Sequence, residues 1–373
     1  MISIKEVSSK KEMKAFVKFP FSLYKNHPYW VPPIINDELA SLDKNVNPVF
    51  KHAEVKFLLA YKSGKIVGRV AAIINWTEVN TQKISKMRFG WFDIIDEIEV
   101  SKALLNKVHE IGKNNNLEFV EGPVGFSNLD KVGVLIEGYD YLGTMITWYN
   151  HPYYVTHLET LGFKKEKQWL ESIIEFKDID PTKFTRFSKL ISQRFELTAK
   201  RFTSTDELMP YVDEMFDLFN ETYKTLSSFV PISEDEKSYF KKKYIHLIDP
   251  NFIKFVMDKD NKMIAFAITL PSFSKALQKA KGKLYPFGIF HLLQARKKSD
   301  EIIFYLIGVN EKYQNKGVTA IIFDEFYKSC KARGIKRLIR TPELDENEAI
   351  HLLWKDFNPL IHKRRRTYRQ DIS

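Results

Sequence analysis

The sequence predicts an α/β (α+β) protein built from two tandem domains, each with a mixed central sheet flanked by helices. Three observations support this prediction. The chain has 373 residues, 44% of them hydrophobic, which is enough for two packed cores. Two similar β-hairpins lie 197 residues apart. The same order of predicted helices and strands follows each hairpin, so we place the domains at residues 1–178 and 179–373, called the first and second half below.

The two hairpins cover residues 55–74 and 252–269. Each consists of an apolar strand, a short polar turn and a second apolar strand, which is the usual hairpin pattern. The turns contain Gly64 and Asn261, and the dipeptides after them are similar in sequence. We interpret the match as an internal duplication, with chance similarity of two α/β halves as the alternative.

The remaining elements follow from hydrophobic periodicity. In the first half they are a helix at 10–18, a strand at 88–95, a helix at 101–113, a strand at 118–121, a helix at 151–161 and a strand at 168–176. In the second half they are a helix at 205–224, a strand at 301–309, a helix at 319–333, a strand at 336–340, a helix at 346–354 and a strand at 363–372. Cys330 lies on the apolar face of the 319–333 helix, which indicates a core residue and not a nucleophile. Gly334 ends that helix.

Composition excludes several classes of protein. The single cysteine rules out an internal disulfide framework and is typical of a reducing compartment. No apolar run reaches the roughly 20 residues of a membrane span, and the first residues lack the apolar stretch of a signal peptide. We therefore expect a cytoplasmic protein without a transmembrane segment. His151 and His157 have no third ligand nearby in sequence, so no metal site is predicted.

The positive charge is localised. The chain has 58 basic and 47 acidic side chains, a net charge of +11. Residues 1–180 carry 23 of each sign, whereas residues 262–340 carry 16 basic and 5 acidic side chains. A local excess of this kind indicates an anionic partner, such as nucleotide phosphates, RNA or an acidic membrane surface. The tract at 363–366 is also basic, but we interpret it as a solvated face of the last strand.

A polar loop follows the apolar strand that ends at Val309, and a helix begins near Thr319. Such a strand–loop–helix unit directs unpaired amide groups and the positive helix end at one point, which favours an anion. Gly317 allows close approach of the backbone. Neither a Walker loop nor a dinucleotide-binding fingerprint is present, and from geometry alone a surface turn is as good an explanation. The basic excess is expected to surround this loop.

The loop at 309–319 resembles the acyl-CoA pyrophosphate loop of the GNAT N-acyltransferase superfamily, whose pattern is [QR]-x-x-G-x-[GA]. Gln314 and Gly317 match, whereas Thr319 stands where Gly or Ala is usual. Asn347 and the residues after it resemble the fourth helix of that superfamily. From end to end, the chain looks like a bacterial family of tandem GNAT proteins.

The resemblance implies a two-domain GNAT fold and an acyl-CoA-dependent N-acyltransferase. It would transfer an acetyl or longer acyl group to a small amine or amino-acid-like acceptor, with acetyl-CoA or another acyl-CoA as co-substrate and no metal. The residues that it implies for binding the CoA are Val309, Gln314, Asn315, Lys316, Gly317, Val318, Thr319 and Asn347. The strand would splay from its neighbour so that amides near Ile307 and Val309 bind the thioester. Tyr305 and Glu301 are candidates for the general base, with a place on a solvated strand face as the alternative for either.

Two departures from the superfamily lead to alternatives. Trp354 stands where many GNAT enzymes have the Tyr that protonates the leaving thiolate, which suggests a non-catalytic CoA-binding protein. Residues 93–99 of the first half are acidic where an anion would bind, so that half is expected to form part of the acceptor site.

The basic and aromatic segment at 271–300 has no counterpart in the first half, and neither does the Pro-rich loop at 26–33. The basic segment suits RNA, as in Fem-type aminoacyl-tRNA-dependent transferases. Its residues 284–298 also suit a membrane surface, although we favour a buried lid over an acyl channel.

Overall fold

The computed structural model describes residues 1–127, 129–226, 229–244 and 248–372. In the first half, the helices and strands are β1 (Ile2–Glu6), α1 (Lys10–Leu23), α2 (Ile35–Ser41), β2 (Ala53–Lys62), β3 (Lys65–Asn75), β4 (Lys86–Ile94), α3 (Ile98–Asn114), β5 (Phe119–Gly122), β6 (Val134–Glu137), α4 (Tyr153–Thr160) and β7 (Lys164–Glu175). In the second half they are α5 (Thr182–Phe195), β8 (Thr198–Lys200), α6 (Thr205–Leu208), α7 (Val212–Tyr223), α8 (Glu234–Tyr244), β9 (Ile253–Met257), β10 (Met263–Pro271), α9 (Ser274–Ala280), α10 (Gly288–Lys298), β11 (Glu301–Val309), α11 (Thr319–Arg333), β12 (Arg337–Leu344), α12 (Glu348–Trp354) and β13 (Leu360–Asp371).

The strands form one continuous mixed sheet, in the order β1-β2-β3-β4-β5-β13-β7-β12-β11-β10-β9-β8, with β6 paired to β13. The two halves exchange their last strands. The C-terminal strand β13 pairs with β5 of the first half, and β7 pairs with β12 of the second half. The prediction of mixed sheets flanked by helices is confirmed. The predicted boundary at residue 178 falls just after the exchanged strand β7 and stays a prediction.

Helices cover both faces of the sheet. Along β9, Phe255 packs in the core beneath α7, whereas its neighbour Val256 packs in the core beneath α11. Successive strand residues point to opposite faces, so α7 and α11 lie on opposite sides. The first half repeats the arrangement, with α1 and α2 over one core and α3 and α4 over the other.

Two predicted elements, β11 and α11, match the structure residue for residue, and Gly334 adopts the left-handed conformation that ends α11. Cys330 is buried in the core, as predicted. The helix predicted at 205–224 is interrupted, because the turn at Met209–Tyr211 separates α6 from α7.

The interpretation of residues 363–366 as a solvated face is wrong for two of the four residues. Lys363 and Arg365 are each 1% exposed. The physical reason is the strand exchange, which places β13 in the middle of the sheet with helices on both sides.

The two segments without a counterpart in the repeat pack against each other. The side chain of Gln278 on α9 donates to the carbonyl oxygens of Pro28 (2.8 Å) and Trp30 (3.0 Å). The amide of Ile35 donates to the carbonyl of Gly282 (2.9 Å). Apolar residues of α9 and α10 share one small core with the loop that precedes α2. Across the described ranges, none of the helices is long and apolar enough to cross a lipid bilayer.

Candidate functional site

The parallel strands β11 and β12 separate partway along their length. They pair from Glu301 with Arg337 to Phe304 with Arg340, and the ladder stops there. Tyr305 is the next residue of β11, and it is an extra residue that forms a bulge against β10. The hydroxyl of Thr341 donates to the carbonyl of Tyr305 at 3.2 Å. Beyond this point the sheet has a cleft between β11 and β12.

The loop at the end of β11 has the backbone of an anion-binding nest. Asn315 and Gly317 both have left-handed φ angles, of 58° and 77°. The side chain of Gln314 donates back to the carbonyl of Val309 at 3.1 Å, which holds the loop against the strand. Within the described part of the chain, the amides at positions 315–318 donate to no acceptor. Together with the start of α11, these free amides can bind an anion such as a pyrophosphate.

The residues predicted to bind the cofactor divide into two groups. Val309 and the positions from Gln314 to Thr319 lie together at the end of the cleft. Asn347 instead caps α12, where its side-chain oxygen accepts from the amide of Ile350 at 3.3 Å. A role for Asn347 in binding CoA therefore stays a prediction without a contact in the described chain to support it.

The basic excess does not surround the loop as expected. Arg333 at the C-terminal end of α11 donates to the carbonyls of Arg296 and Lys297 on α10. The loop lies at the other end of α11, roughly 20 Å away along a helix of this length. Several charges of α11 and β12 are paired within the chain, as Arg337 is with Glu301 and Arg340 with Glu343. The sequence count gave the sum of the charges but not their positions in space.

Among the predicted catalytic residues, Ile307 lies in the cleft, and its carbonyl accepts from the hydroxyl of Tyr223 at 3.0 Å. Glu301 pairs with Arg337 at the closed end of the cleft. Tyr305 faces the α7 side, and its hydroxyl donates to the carbonyl of Leu129 at 3.0 Å. Burial raises the pKa of Tyr305 well above its ordinary value. A phenol of this kind keeps its proton, and its predicted role as a base stays a prediction.

Trp354 is fully buried in the core beneath the cleft. Its ring packs edge-on against Phe304, with centroids 4.7 Å apart, and under the guanidinium of Arg340 at 4.9 Å. Its indole nitrogen has no hydrogen-bond partner among the described atoms. The side chain therefore fills space in the core, and its indole N–H is too weak an acid to protonate a leaving thiolate.

A cavity of about 480 Å³ opens on the α7 side of the sheet, and its wall includes Tyr305 and Leu306 at the start of the cleft. Most of its lining is apolar. The apolar lining residues from the helices of the second half are Leu208, Val212, Met215, Phe216, Phe219, Phe240, Leu277 and Leu292. Sites that hold drug-sized molecules span roughly 300–1,000 Å³, so the cavity accommodates far more than an acetyl group.

Ionisable groups from both halves of the chain line the cavity. Asp130 is the most notable, because its carboxylate accepts from the amides of Phe126 (2.9 Å) and Ser127 (3.1 Å). The Asp130 side chain is exposed at the edge of the cavity, where desolvation by the surrounding walls raises its pKa, although these amides and Lys243 oppose the shift. Asp130 is next in sequence to Leu129, whose carbonyl accepts the hydrogen bond from the Tyr305 hydroxyl. A carboxylate with a raised pKa at the edge of an apolar cavity can act as a general base.

The equivalent site of the first half is closed. β4 and β5 also stop pairing after three residues, and Trp91 forms a bulge with a left-handed φ. The loop that follows β4 is short. Asp93 near the end of β4 pairs with Arg69 (2.7 Å), and Glu97 in the loop pairs with Lys62 (2.7 Å). The first half instead contributes Trp91 to the wall of the cavity.

Sequence reasoning missed Asp130, Tyr223 and the cavity itself. Asp130 lies in the other half of the chain from the cleft, in a loop without a recognisable motif. His157, which was considered as a metal ligand, lies 3.3 Å from Asp96 and contacts Ser101 at 2.9 Å. Among the described residues, no group of three or more His, Cys, Asp or Glu side chains is arranged to hold a metal ion.

Comparisons with known proteins agree with this architecture. The chain is 26% identical over 370 residues to Protein YghO of Escherichia coli, covering 98% of this chain and 94% of that protein. It is 26% identical over 319 residues to the bacterial ceramide synthase of Caulobacter vibrioides, covering 84% of this chain and 82% of that protein. No family model matches the sequence.

Solved structures define the fold class. A tandem GNAT protein from the clavulanic acid biosynthesis pathway superposes with a TM-score of 0.58 at 8% identity, covering 100% of this chain and 99% of that one. A GCN5-related N-acetyltransferase from Sphaerobacter thermophilus superposes with a TM-score of 0.53 at 9% identity, covering 100% and 96%. The protein therefore has the fold of the tandem GNAT proteins, as its sequence motifs suggested.

Proposed function

We propose that the protein is an N-acyltransferase that uses an acyl-CoA thioester, and that one of its substrates has a long alkyl chain. The observation that carries the proposal is the cleft between β11 and β12. The free amides of the loop lie where β11 ends, and the apolar cavity begins at Tyr305 where pairing stops. One extended thioester can thus have its phosphates at the loop and its reactive end at the cavity.

The loop fits the pyrophosphate of CoA. The amides at positions 315–318 are free among the described residues, and Gly317 adopts a conformation that other residues rarely adopt. A Cβ atom added to Gly317 would meet only Ile191, at 3.4 Å, so the space above the loop is otherwise open. The thioester supplies an activated acyl group. An amine can attack such a group directly, and the protein then needs no nucleophile of its own.

The amine must lose a proton as it forms the new bond, and Asp130 is the group that we assign to accept it. Its carboxylate lines the cavity and is held by two backbone amides. The raised pKa brings the carboxylate closer to the basicity that a general base requires near neutral pH. The phenol of Tyr223 lies at the carbonyl of Ile307 with its pKa raised to about 12, and it can donate a hydrogen bond in the cleft.

The apolar cavity supports a long-chain substrate over the acetyl group and small amine that the sequence left open. Its volume of about 480 Å³ and its Val, Met, Leu and Phe lining match an alkyl chain. The name of one relative, bacterial ceramide synthase, points to the same chemistry, an amide bond between two long-chain molecules. We therefore propose a long-chain acyl donor, a long-chain amine acceptor, or both.

Calorimetry and an activity assay test the proposal together. Palmitoyl-CoA is expected to bind more tightly than acetyl-CoA, and a long-chain amino alcohol is expected to release CoA thiol from it faster than ethanolamine does. Cys330 is fully buried and burial raises the pKa of its thiol, so a thiol reagent reports CoA without interference from the protein. Failure of both thioesters to bind contradicts the proposal. Tight binding without turnover of any amine supports the non-catalytic alternative instead.

A further inference from the structure

An exposed apolar strip lies on α10 and the turn before it. Tyr285 is 71% exposed, Phe287 70% and Phe290 65%, and Leu293 also faces solvent. Large apolar side chains clustered in this way are unusual on the surface of a soluble domain. We call these four residues the α10 strip.

Lysines surround the α10 strip. The exposed ones are Lys275, Lys279, Lys281, Lys283, Lys297 and Lys298. Within the described ranges, none of the six forms an ion pair with an acidic side chain of the chain, and residues 271–299 contain no Asp or Glu. By contrast, Lys328 on α11 and Lys336 beside β12 have carboxylate partners. The segment that carries the strip thus has six lysines that are unpaired in the described part of the chain, and no acidic side chain of its own.

The inner side of the same segment lines the cavity. Leu292 on α10 and Leu277 on α9 are buried and form part of its wall, together with Phe273. Phe290 and Leu293 flank Leu292 in sequence but are exposed, so α10 carries apolar side chains on its outer face as well as on its inner one. Only the thickness of α10 separates the exposed strip from the cavity. The segment at 284–298, which we expected to be a buried lid, is therefore buried only on the side that faces the cavity.

We propose that the α10 strip and its six lysines dock the protein on the surface of an anionic lipid bilayer. Exposed aromatic and Leu side chains insert at the boundary of headgroups and acyl chains, and lysines at the same level bind anionic headgroups. A bilayer fits the strip better than RNA does, because the strip includes an aliphatic side chain and backs directly onto an apolar cavity. Docking there brings the rim of the cavity to the place where long-chain molecules reside.

Sedimentation with vesicles tests this surface without any assay of activity. The full-length protein is expected to bind vesicles of phosphatidylglycerol and phosphatidylcholine, and to leave vesicles of phosphatidylcholine alone in solution unbound. The double variant Phe287→Ser, Phe290→Ser is expected to reduce binding at least about tenfold, since two exposed aromatic anchors are lost. The pair Lys281→Glu, Lys283→Glu is expected to abolish the preference for the anionic lipid.

A matched control comes from α5, on the other face of the sheet. Phe187 and Leu190 are also exposed and lie between basic residues. The variant Phe187→Ser, Leu190→Ser is expected to bind vesicles like the wild type. Equal loss in both double variants, or equal binding to both kinds of vesicle, overturns the proposal. A different result would assign the surface to nucleic acid and would also overturn the proposal: the wild type binds labelled tRNA but no vesicles, and the α10 substitutions abolish the binding of tRNA. Because lipid binding does not need CoA, a failure here leaves the proposed acyl transfer untouched.

Discussion

Arg365 on β13 donates a hydrogen bond to the carboxylate of Glu171 on β7, and each side chain is only 1% exposed. These two strands are the ones that the halves of the chain exchange. Arg365 also donates to the carbonyl of Trp148 at 2.6 Å, and Lys363 lies 3.8 Å from the same carboxylate. The buried charges therefore join the two halves where neither half has a complete sheet of its own.

Replacing Glu171 by Ala is expected to destabilise the protein by about 3–5 kcal/mol, because two buried cations then lose their anion. Urea unfolding of the two proteins measures the difference. Glu137 gives a matched control, since it pairs with Arg364 of the same strand at 2.9 Å but is exposed to solvent. Glu137→Ala is expected to change the free energy of unfolding by less than about 1 kcal/mol. Similar losses in both variants contradict a special role for the buried pair.

The same pair makes stability depend on pH. Burial alone would raise the pKa of Glu171, but Arg365 and Lys363 outweigh it and lower the pKa below its ordinary value. In the unfolded chain the carboxylate of Glu171 takes up its proton at about pH 4.3, which is a higher pH than in the folded protein. The stabilisation is complete above that pH and is lost as the pH falls through the folded pKa. Urea midpoints measured from pH 7 to pH 3 are expected to fall less steeply with decreasing pH for Glu171→Gln than for the wild type. Equal slopes for the two proteins contradict this account.

Local patterns predicted much of the fold. β11 and α11 were found at their observed ends because alternating and helical periodicities are properties of a few neighbouring residues. The strand exchange could not be found in this way. The alternation of β13 does not show that this strand inserts between β5 and β7, because its placement depends on contacts across the whole chain. The mistaken solvated face at Lys363 and Arg365 follows from that limit.

The candidate site likewise has one part that the sequence could predict and one part that it could not. The loop from Gln314 to Thr319 is contiguous, so its motif could be recognised in the sequence. Asp130 and Tyr305 line the same cavity from positions 175 residues apart, and neither belongs to a motif. Only the folded chain brings them together, which explains why the sequence left the general base undecided.

Gly317→Glu is expected to weaken palmitoyl-CoA binding by at least about tenfold, because it brings a carboxylate to the free amides of the loop. Gly334→Glu is the matched control. Gly334 ends the same helix, has a similar φ of 71° and has no atom within 4 Å of an added Cβ. Both variants carry similar backbone strain, so both lose similar stability. Calorimetry separates them, and equal affinity of the two variants for the thioester contradicts the assignment of the loop.

Asp130→Asn is expected to lower kcat by about 100-fold or more while KM changes little, since the substitution keeps the shape of the side chain and removes its basicity. In the wild type, activity should rise with pH as the raised pKa of Asp130 is passed, because the ionised form accepts the proton. The variant should lack that rise. A pH–rate profile of both proteins measures this. A variant that is slower but keeps the wild-type profile indicates a positioning role for Asp130.

A larger side chain in the cavity should shorten the chain that the protein accepts. Met215 on α7 is buried and lines the cavity, so Met215→Trp fills part of the space without disturbing the cleft at β11. Turnover of palmitoyl-CoA is expected to fall about tenfold relative to hexanoyl-CoA, because an alkyl chain that no longer fits loses apolar contact along its length. Met215→Leu nearly conserves the volume and should keep the wild-type preference. Leu292→Trp, on α10, should act like Met215→Trp if one chain occupies the cavity from wall to wall. Equal losses for both thioesters in both Trp variants indicate instead that the acyl chain lies outside this cavity.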